Sequence, residues 1–219
     1  WNRRVLGEIV SFSLLTCVQQ SIMNFGILMV QGLVNSFGEV VMAAFAAAVK
    51  IDSFAYMPVQ DFGNAFSTFI AQNYGAHSQE RIRKGTRSAV ISAAVFCVMV
   101  SAVVCLFAAP LMGIFVDPTD PAVAQITAVG VQYLWIEGAC YCGIGILFLL
   151  YGFYRAVRRP AMSVVLTVCS LGTRVALAYA LAPQVGVWGI WISVPIGWAL
   201  ADLVGAIYYF RHRAALLPE

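Results

Sequence analysis

Six side chains able to carry charge, Lys50, Asp52, Asp61, Glu137, Arg174 and Asp202, sit inside stretches otherwise built from apolar residues. At roughly 2.5–3.5 kcal/mol for each charge at the centre of a bilayer, the set would cost on the order of 15–20 kcal/mol if unpaired. Ion pairing, cavity water or protonation must offset most of that. Four acids stand against two bases, so the ionised set lacks two positive charges, which protons, a metal cation or a cationic substrate would supply. Each residue also has a structural reading. Lys50 and Asp61 would be partners for other helices, Arg174 would be satisfied by Asp202 or by carbonyls, and Asp61 and Asp202 would snorkel to the inner boundary. Glu137, with Tyr133 and Tyr141 one turn to either side on the same helical face, is the acid best placed for chemistry.

The elements that hold these residues follow from composition and charge. The chain has 61% hydrophobic and 11% charged residues, too little charge to cover the surface of a soluble domain of 219 residues. Of its 13 Lys and Arg residues, 11 fall in four clusters: Arg3/Arg4, Arg81 to Arg87, Arg155 to Arg159, and Arg211/Arg213. The connections between them, 36–39, 115–121 and 183–186, contain no Lys or Arg. Cytoplasmic loops retain basic residues, so the alternation predicts six membrane spans with both termini cytoplasmic. Stretches of about 20 apolar residues cross a hydrocarbon core of roughly 30 Å. They are read at about 9–35, 40–73, 88–113, 122–152, 160–182 and 187–210. The fold class is all-α integral membrane, a single six-transmembrane-helix bundle over 1–219. The second span is too long for one straight crossing, so it either kinks near Pro58 and Gly63 or runs past the membrane toward Tyr74 to His77. Pro195 should bend the sixth, and Pro160 suits the first turn of the fifth.

Helical periodicity assigns faces to these spans. On the first, Ser13, Thr16, Gln20, Asn24, Gln31 and Asn35 fall within a sector of about 100°, which lipid will not accept; the stripe lines a cavity or glues helices together. The second aligns Lys50, Ser53, Asp61, Asn64, Thr68 and Gln72, with Asp52 on the opposite side. The fourth places Gly130, Tyr133, Glu137, Tyr141 and Phe148 on one face. The fifth aligns Ser163, Thr167, Ser170 and Arg174; the sixth aligns Trp188, Trp191, Pro195, Trp198 and Asp202. The third has no charge beyond its first turn and should face lipid.

Several chemistries find no support. The six cysteines form no CxxC pair and read as packing residues, and the two histidines, His77 and His212, fall in cytoplasmic segments, so no zinc cluster forms. No GxSxG, P-loop or HExxH motif is present, and nothing fixes a nucleophile beside a base, so neither an enzyme in general nor a membrane transferase in particular is expected. The basic residues are spaced as loop anchors, which excludes nucleic acid as a partner. The chain opens at Trp1 without a signal peptide, as a segment of a longer protein would.

The run Ala43-Ala44-Phe45, Val49-Lys50-Ile51-Asp52-Ser53-Phe54, Met57-Pro58 and Gln72-Asn73-Tyr74-Gly75-Ala76, closing with Arg81 to Gly85, resembles the start of the second half of a multidrug and toxic compound extrusion (MATE) transporter, especially its DinF-like branch. Tyr151 to Arg155 followed by Arg159-Pro160, and Ser170 to Arg174, agree with it, and the resemblance covers about 7–213. It implies one lobe of a twelve-helix transporter, the C-terminal one, facing a missing N-terminal lobe of the same protein across a substrate cavity. It further implies a multi-pass protein of a bacterial cell membrane, in contact with membrane lipid. Its activity would be antiport of cationic or amphipathic organic small molecules by alternating access, driven by H⁺ or Na⁺, without a cofactor. In that frame Glu137, with Tyr133 and Tyr141, binds substrate or coupling cation, Na⁺ included. Gln20, Asn24 and Gln31 line the cavity; Lys50, Asp52 and Asp61 form a charge network; Arg174 belongs either to this set or to a structural pair. The NorM-like branch carries a coupling carboxylate on the first helix, where this chain has Gln19 and Gln20, and DinF-like members place the key acid in the N-terminal lobe. A second reading from the same wider superfamily is a flippase for lipid-linked saccharides. That reading needs a cavity rich in Arg and Lys, which Arg174 with Lys50 barely supplies.

Overall fold

The computed structural model describes residues 3–216; the side chains of Arg3, Arg4, Val5, Glu8, Phe12, Ala214 and Ala215 lie outside the described residues, and with them the first basic cluster. The described chain folds into helices α1 (Arg3–Asn35), α2 (Glu39–Gly75), α3 (Gln79–Leu106), α4 (Ala108–Phe115), α5 (Val123–Gly138), α6 (Tyr141–Ala156), α7 (Pro160–Val185) and α8 (Val187–Leu216). Five of these are long and apolar enough to cross a membrane, and α5 with α6, taken as one bent span, makes six.

The second span is helical throughout its 37 residues, Pro58 included. At 1.5 Å per residue it is roughly 55 Å long, so it outruns the hydrocarbon core. The third span starts earlier than its apolar run suggests. Arg81, Arg83, Lys84 and Arg87, read above as loop residues, lie on the first turns of α3, where Lys84 Nζ sits 2.7 Å from Glu80 Oε1 one turn back. That helix ends at Phe107, and the rest of the expected span is the separate short α4. The exposed side of α3 is apolar, with Val90, Ile91, Val95, Val98 and Met99 exposed and Ala89, Ala93 and Cys97 turned inward.

The fourth span is not one helix. It breaks at Ala139 and Cys140, and α5 and α6 meet at a bend of 52°. No proline causes it. The Cys140 amide bonds the Glu137 carbonyl at 2.9 Å, a tightened i to i+3 turn, and Gly138 is packed so closely that an added Cβ would stand 3.3 Å from Val104 and Cys105.

Without a hydrophobic drive between helices in lipid, close packing and interhelical hydrogen bonds hold such a bundle together. Helices α2 and α6 cross at two glycines: a Cβ on Gly152 would lie 2.6 Å from the Gly63 carbonyl oxygen, and Ser67 Oγ donates to the Gly152 carbonyl at 2.9 Å. Helices α7 and α8 form a hairpin through Gly186, whose φ of 67° favours glycine. Gly197 then brings α8 against the Ser170 carbonyl, where a Cβ would come within 2.5 Å, and that contact seats the Arg174 stem.

Candidate functional site

Asp52 sits on the face of α2 that the bundle buries and is 5% exposed. Its two oxygens are held from the bent span. Tyr141 Oη donates to Oδ1 at 2.6 Å, and Tyr133 Oη donates to Oδ2 at 3.3 Å. In a straight helix these tyrosines would be about 12 Å apart along the axis. The break between α5 and α6 turns both hydroxyls toward one carboxylate.

Glu137 lies between them and is 1% exposed. Its carboxyl adjoins Asp52 and Tyr133, and its Oε1 is buried without a hydrogen-bond partner. Arg174, from α7, is close enough to interact electrostatically with both acids. It nevertheless forms no ion pair within 4.0 Å among the described residues, and its Nε is buried without a partner. The alternative of a structural pair with Asp202 is not realised; Asp202 stands near Gly143 and Trp198, with its own Oδ1 buried and unpartnered.

These groups surround a cavity of about 280 Å³. Gln20, Met23, Ile27 and Gln31 line it from α1, and Phe45, Val49, Asp52, Tyr56 and Gln60 from α2. Tyr133, Glu137, Phe148 and Tyr151 close it from α5 and α6, and Ser170, Arg174 and Trp198 from α7 and α8. Behind the wall, Trp191 stacks on Phe45 with ring centres 5.4 Å apart and planes 7° off parallel, and Tyr133 meets its edge at 5.0 Å. This aromatic brace fixes Tyr133, the more weakly bonded of the two tyrosines on Asp52.

Of the residues singled out from sequence, Gln20, Gln31, Asp52, Tyr133, Glu137 and Arg174 line the cavity, and Tyr141 joins them through Asp52. Three do not. The expected network of Lys50, Asp52 and Asp61 is absent, because positions two and nine residues from Asp52 fall about 160–180° around the helix. Lys50 is exposed with its Nζ 5.9 Å from the centre of the Phe115 ring, and Asp61 is exposed on the side of α2 away from the cavity. Asn24 lies at the edge of the α1 face, about 100° from Met23, and is exposed. Tyr56, Gln60, Tyr151 and Trp198 were not singled out as site residues. The signal for two of them was available, since Asp52, Tyr56 and Gln60 recur every four residues on one face.

In the connection between α4 and α5, Asp117 Oδ1 accepts from the Thr119 amide at 2.8 Å and from Thr119 Oγ1 at 2.7 Å. These bonds to the ionised form hold the Asp117 carboxyl below its ordinary value.

The sequence model of the MatE family matches residues 15–180. Among curated relatives, the chain is 28% identical over 173 residues to a protein of Shewanella oneidensis named "FAD transporter", covering 78% of this chain and 37% of that protein. It is 27% identical over 196 residues to the "Probable multidrug resistance protein YpnP" of Bacillus subtilis, covering 88% of this chain and 42% of that protein. Among solved structures, a MOP superfamily transporter from Pyrococcus furiosus superposes over 100% of this chain and 49% of its own, with a TM-score of 0.91 at 20% identity. The chain therefore spans about two-fifths of the length of these curated relatives and about half of that solved chain.

Proposed function

Because the chain belongs to the MatE family of multi-pass membrane transporters, we propose that it forms one lobe of an alternating-access antiporter of the cell membrane that exchanges organic small molecules for H⁺ or Na⁺. The observation that carries this reading is the buried acid pair of Asp52 and Glu137 on the wall of an aromatic cavity. Two adjacent carboxyls in a low-dielectric wall favour binding of one cation between them, and a proton or Na⁺ there changes the charge presented to a substrate. Asp52 is already held by two phenols, so Glu137, whose Oε1 lacks a partner, takes the incoming cation. Cation binding at this wall would bias the rocking of this lobe against its N-terminal counterpart.

The flippase reading is less favoured, because Lys50 lies outside the cavity and Arg174 alone is too little positive charge for a pyrophosphate. The names of the relatives span drug resistance and FAD transport, so kinship does not select the cargo. The test is Glu137→Gln in the full-length protein. Export driven by an imposed H⁺ or Na⁺ gradient should fall at least tenfold at normal abundance in the membrane. Undiminished export would remove Glu137 from coupling.

A further inference from the structure

A second cavity lies on the outside of the bundle, in a groove between α2 and α3. It holds about 280 Å³ and is lined by Pro58, Val59 and Phe62 from α2 and by Ser92, Ala93 and Phe96 from α3. It shares no lining residue with the central cavity. Its walls are apolar or aromatic apart from Ser92, and Pro58, Phe62 and Ser92 are exposed. Toward the basic end of α3 the Phe69 ring packs onto Gly85, so closely that no Cβ fits there, and carries the aromatic lining on along α2. On α3 the same strip runs into charge. At 100° per residue Arg81, Gly85, Ser88, Ser92 and Phe96 fall within a sector of about 80°. Arg81, Ser88 and Ser92 are exposed along it. Residues 79–87 hold four bases, Arg81, Arg83, Lys84 and Arg87, against one acid, Glu80, which is already paired with Lys84. Arg81 forms no ion pair among the described residues.

We propose that this groove binds an anionic phospholipid from the leaflet at the basic helix ends, its phosphate on Arg81 and one acyl chain laid over Phe69 into the space between Phe62 and Phe96. Depth selects the chain. The apolar run of α3 starts at Ser88, so Ser92 and Phe96 stand roughly 6 and 12 Å inside it, within the ~15 Å that is half of a hydrocarbon core. Charge selects the headgroup, because a guanidinium presents a planar fork of donors that matches phosphate, and the excess of bases at this level favours a lipid with net negative charge. Arg81 and Phe96 are about 22 Å apart along the helix, a reach that needs a headgroup and a long chain together. A free phosphate fills only one end and an uncharged hydrocarbon only the other.

Native mass spectrometry of the full-length protein, delipidated in detergent and titrated with phosphatidylglycerol, counts the lipid molecules retained. An excess of about fivefold of phosphatidylcholine with the same acyl chains should not displace the lipid at this groove. Dihexanoyl phosphatidylglycerol and inorganic phosphate, which lack a long chain, should not displace it either. Arg81→Gln should retain one phosphatidylglycerol fewer than the wild type. Arg83→Gln, which removes the same charge about 160° around the helix, should match the wild type. Ser92→Phe, which fills the groove from an exposed position, should also lose one lipid, whereas Val98→Phe, an equal bulk outside the groove, should not. Thermal melting checks that all four variants fold, and Ser92→Leu replaces the phenylalanine variant if the larger ring lowers the melting temperature. Equal losses from Arg81→Gln and Arg83→Gln would reduce the site to a diffuse basic surface and overturn the proposal. So would a lipid count untouched by filling the groove, displacement by phosphatidylcholine or inorganic phosphate, or no lipid retained at all, the result expected if another part of the full-length protein covers the groove.

Discussion

Replacing Tyr141 by Phe deletes one hydroxyl and leaves the ring in its packing site. The lost bond to Asp52 Oδ1 spans 2.6 Å, within the short range typical of a hydroxyl donating to a carboxylate. Bonds to charged groups contribute about 1.5–3 kcal/mol in soluble proteins, whereas interhelical polar bonds in a membrane protein average about 0.6 and reach about 1.7 kcal/mol. The Tyr141 bond is short, buried and charge-assisted, so its coupling to Asp52 should lie near the upper membrane value, about 1.5 kcal/mol, or roughly a tenfold change in the unfolding equilibrium. The Tyr133 bond, at 3.3 Å, exceeds good O–H···O geometry and should couple by about 0.5 kcal/mol. Double-mutant cycles pairing Asp52→Ala with Tyr141→Phe and with Tyr133→Phe, read by denaturant unfolding of the full-length protein in mixed micelles, measure both terms. A Tyr141 coupling below about 0.5 kcal/mol, or a Tyr133 coupling as large as that of Tyr141, would refute the claim that the bent span is anchored on Asp52 chiefly through Tyr141.

Gly152→Ala puts a methyl group 2.6 Å from the Gly63 carbonyl oxygen, so the α2–α6 crossing must open. Overpacking of this kind costs about 1–3 kcal/mol, and a lowered melting temperature with reduced abundance is expected. Gly172→Ala, where an added Cβ meets nothing within 4 Å, is the matched control and should change little. At the Asp117 turn the sign follows from the depressed carboxyl: the ionised form is favoured in the folded turn, so the contribution is fully present above the ordinary value of 3.8 and is lost as pH falls through the lower folded value. The protection factor of the Thr119 amide, its exchange taken relative to the intrinsic rate at each pH, should fall over that acid window, and Asp117→Asn should remove the dependence.

The number of spans, the exposed apolar side of α3 and most of the cavity wall were legible because apolar runs and helical periodicity report burial directly. Gln20, Gln31, Glu137 and Arg174 were recovered that way. The break between α5 and α6 was not legible. It occurs without a proline, where Gly138 lies against Val104 and Cys105, residues more than 30 positions away in the chain. That break is why Tyr133 and Tyr141 share Asp52, a partner that periodicity along either helix alone does not suggest. Lys50 and Asp61 stand off this cavity for a related reason. Polar residues aligned on α2 do mark a face, but the exposed one; the sparser face of Asp52, Tyr56 and Gln60 meets the cavity.

The charge balance of the site changes accordingly. Six ionisable groups counted along the sequence leave two positive charges missing, but only Asp52, Glu137 and Arg174 gather at the cavity. Two acids against one base leave a formal deficit of one. A single monovalent cation between Asp52 and Glu137 closes it, whether a proton or Na⁺.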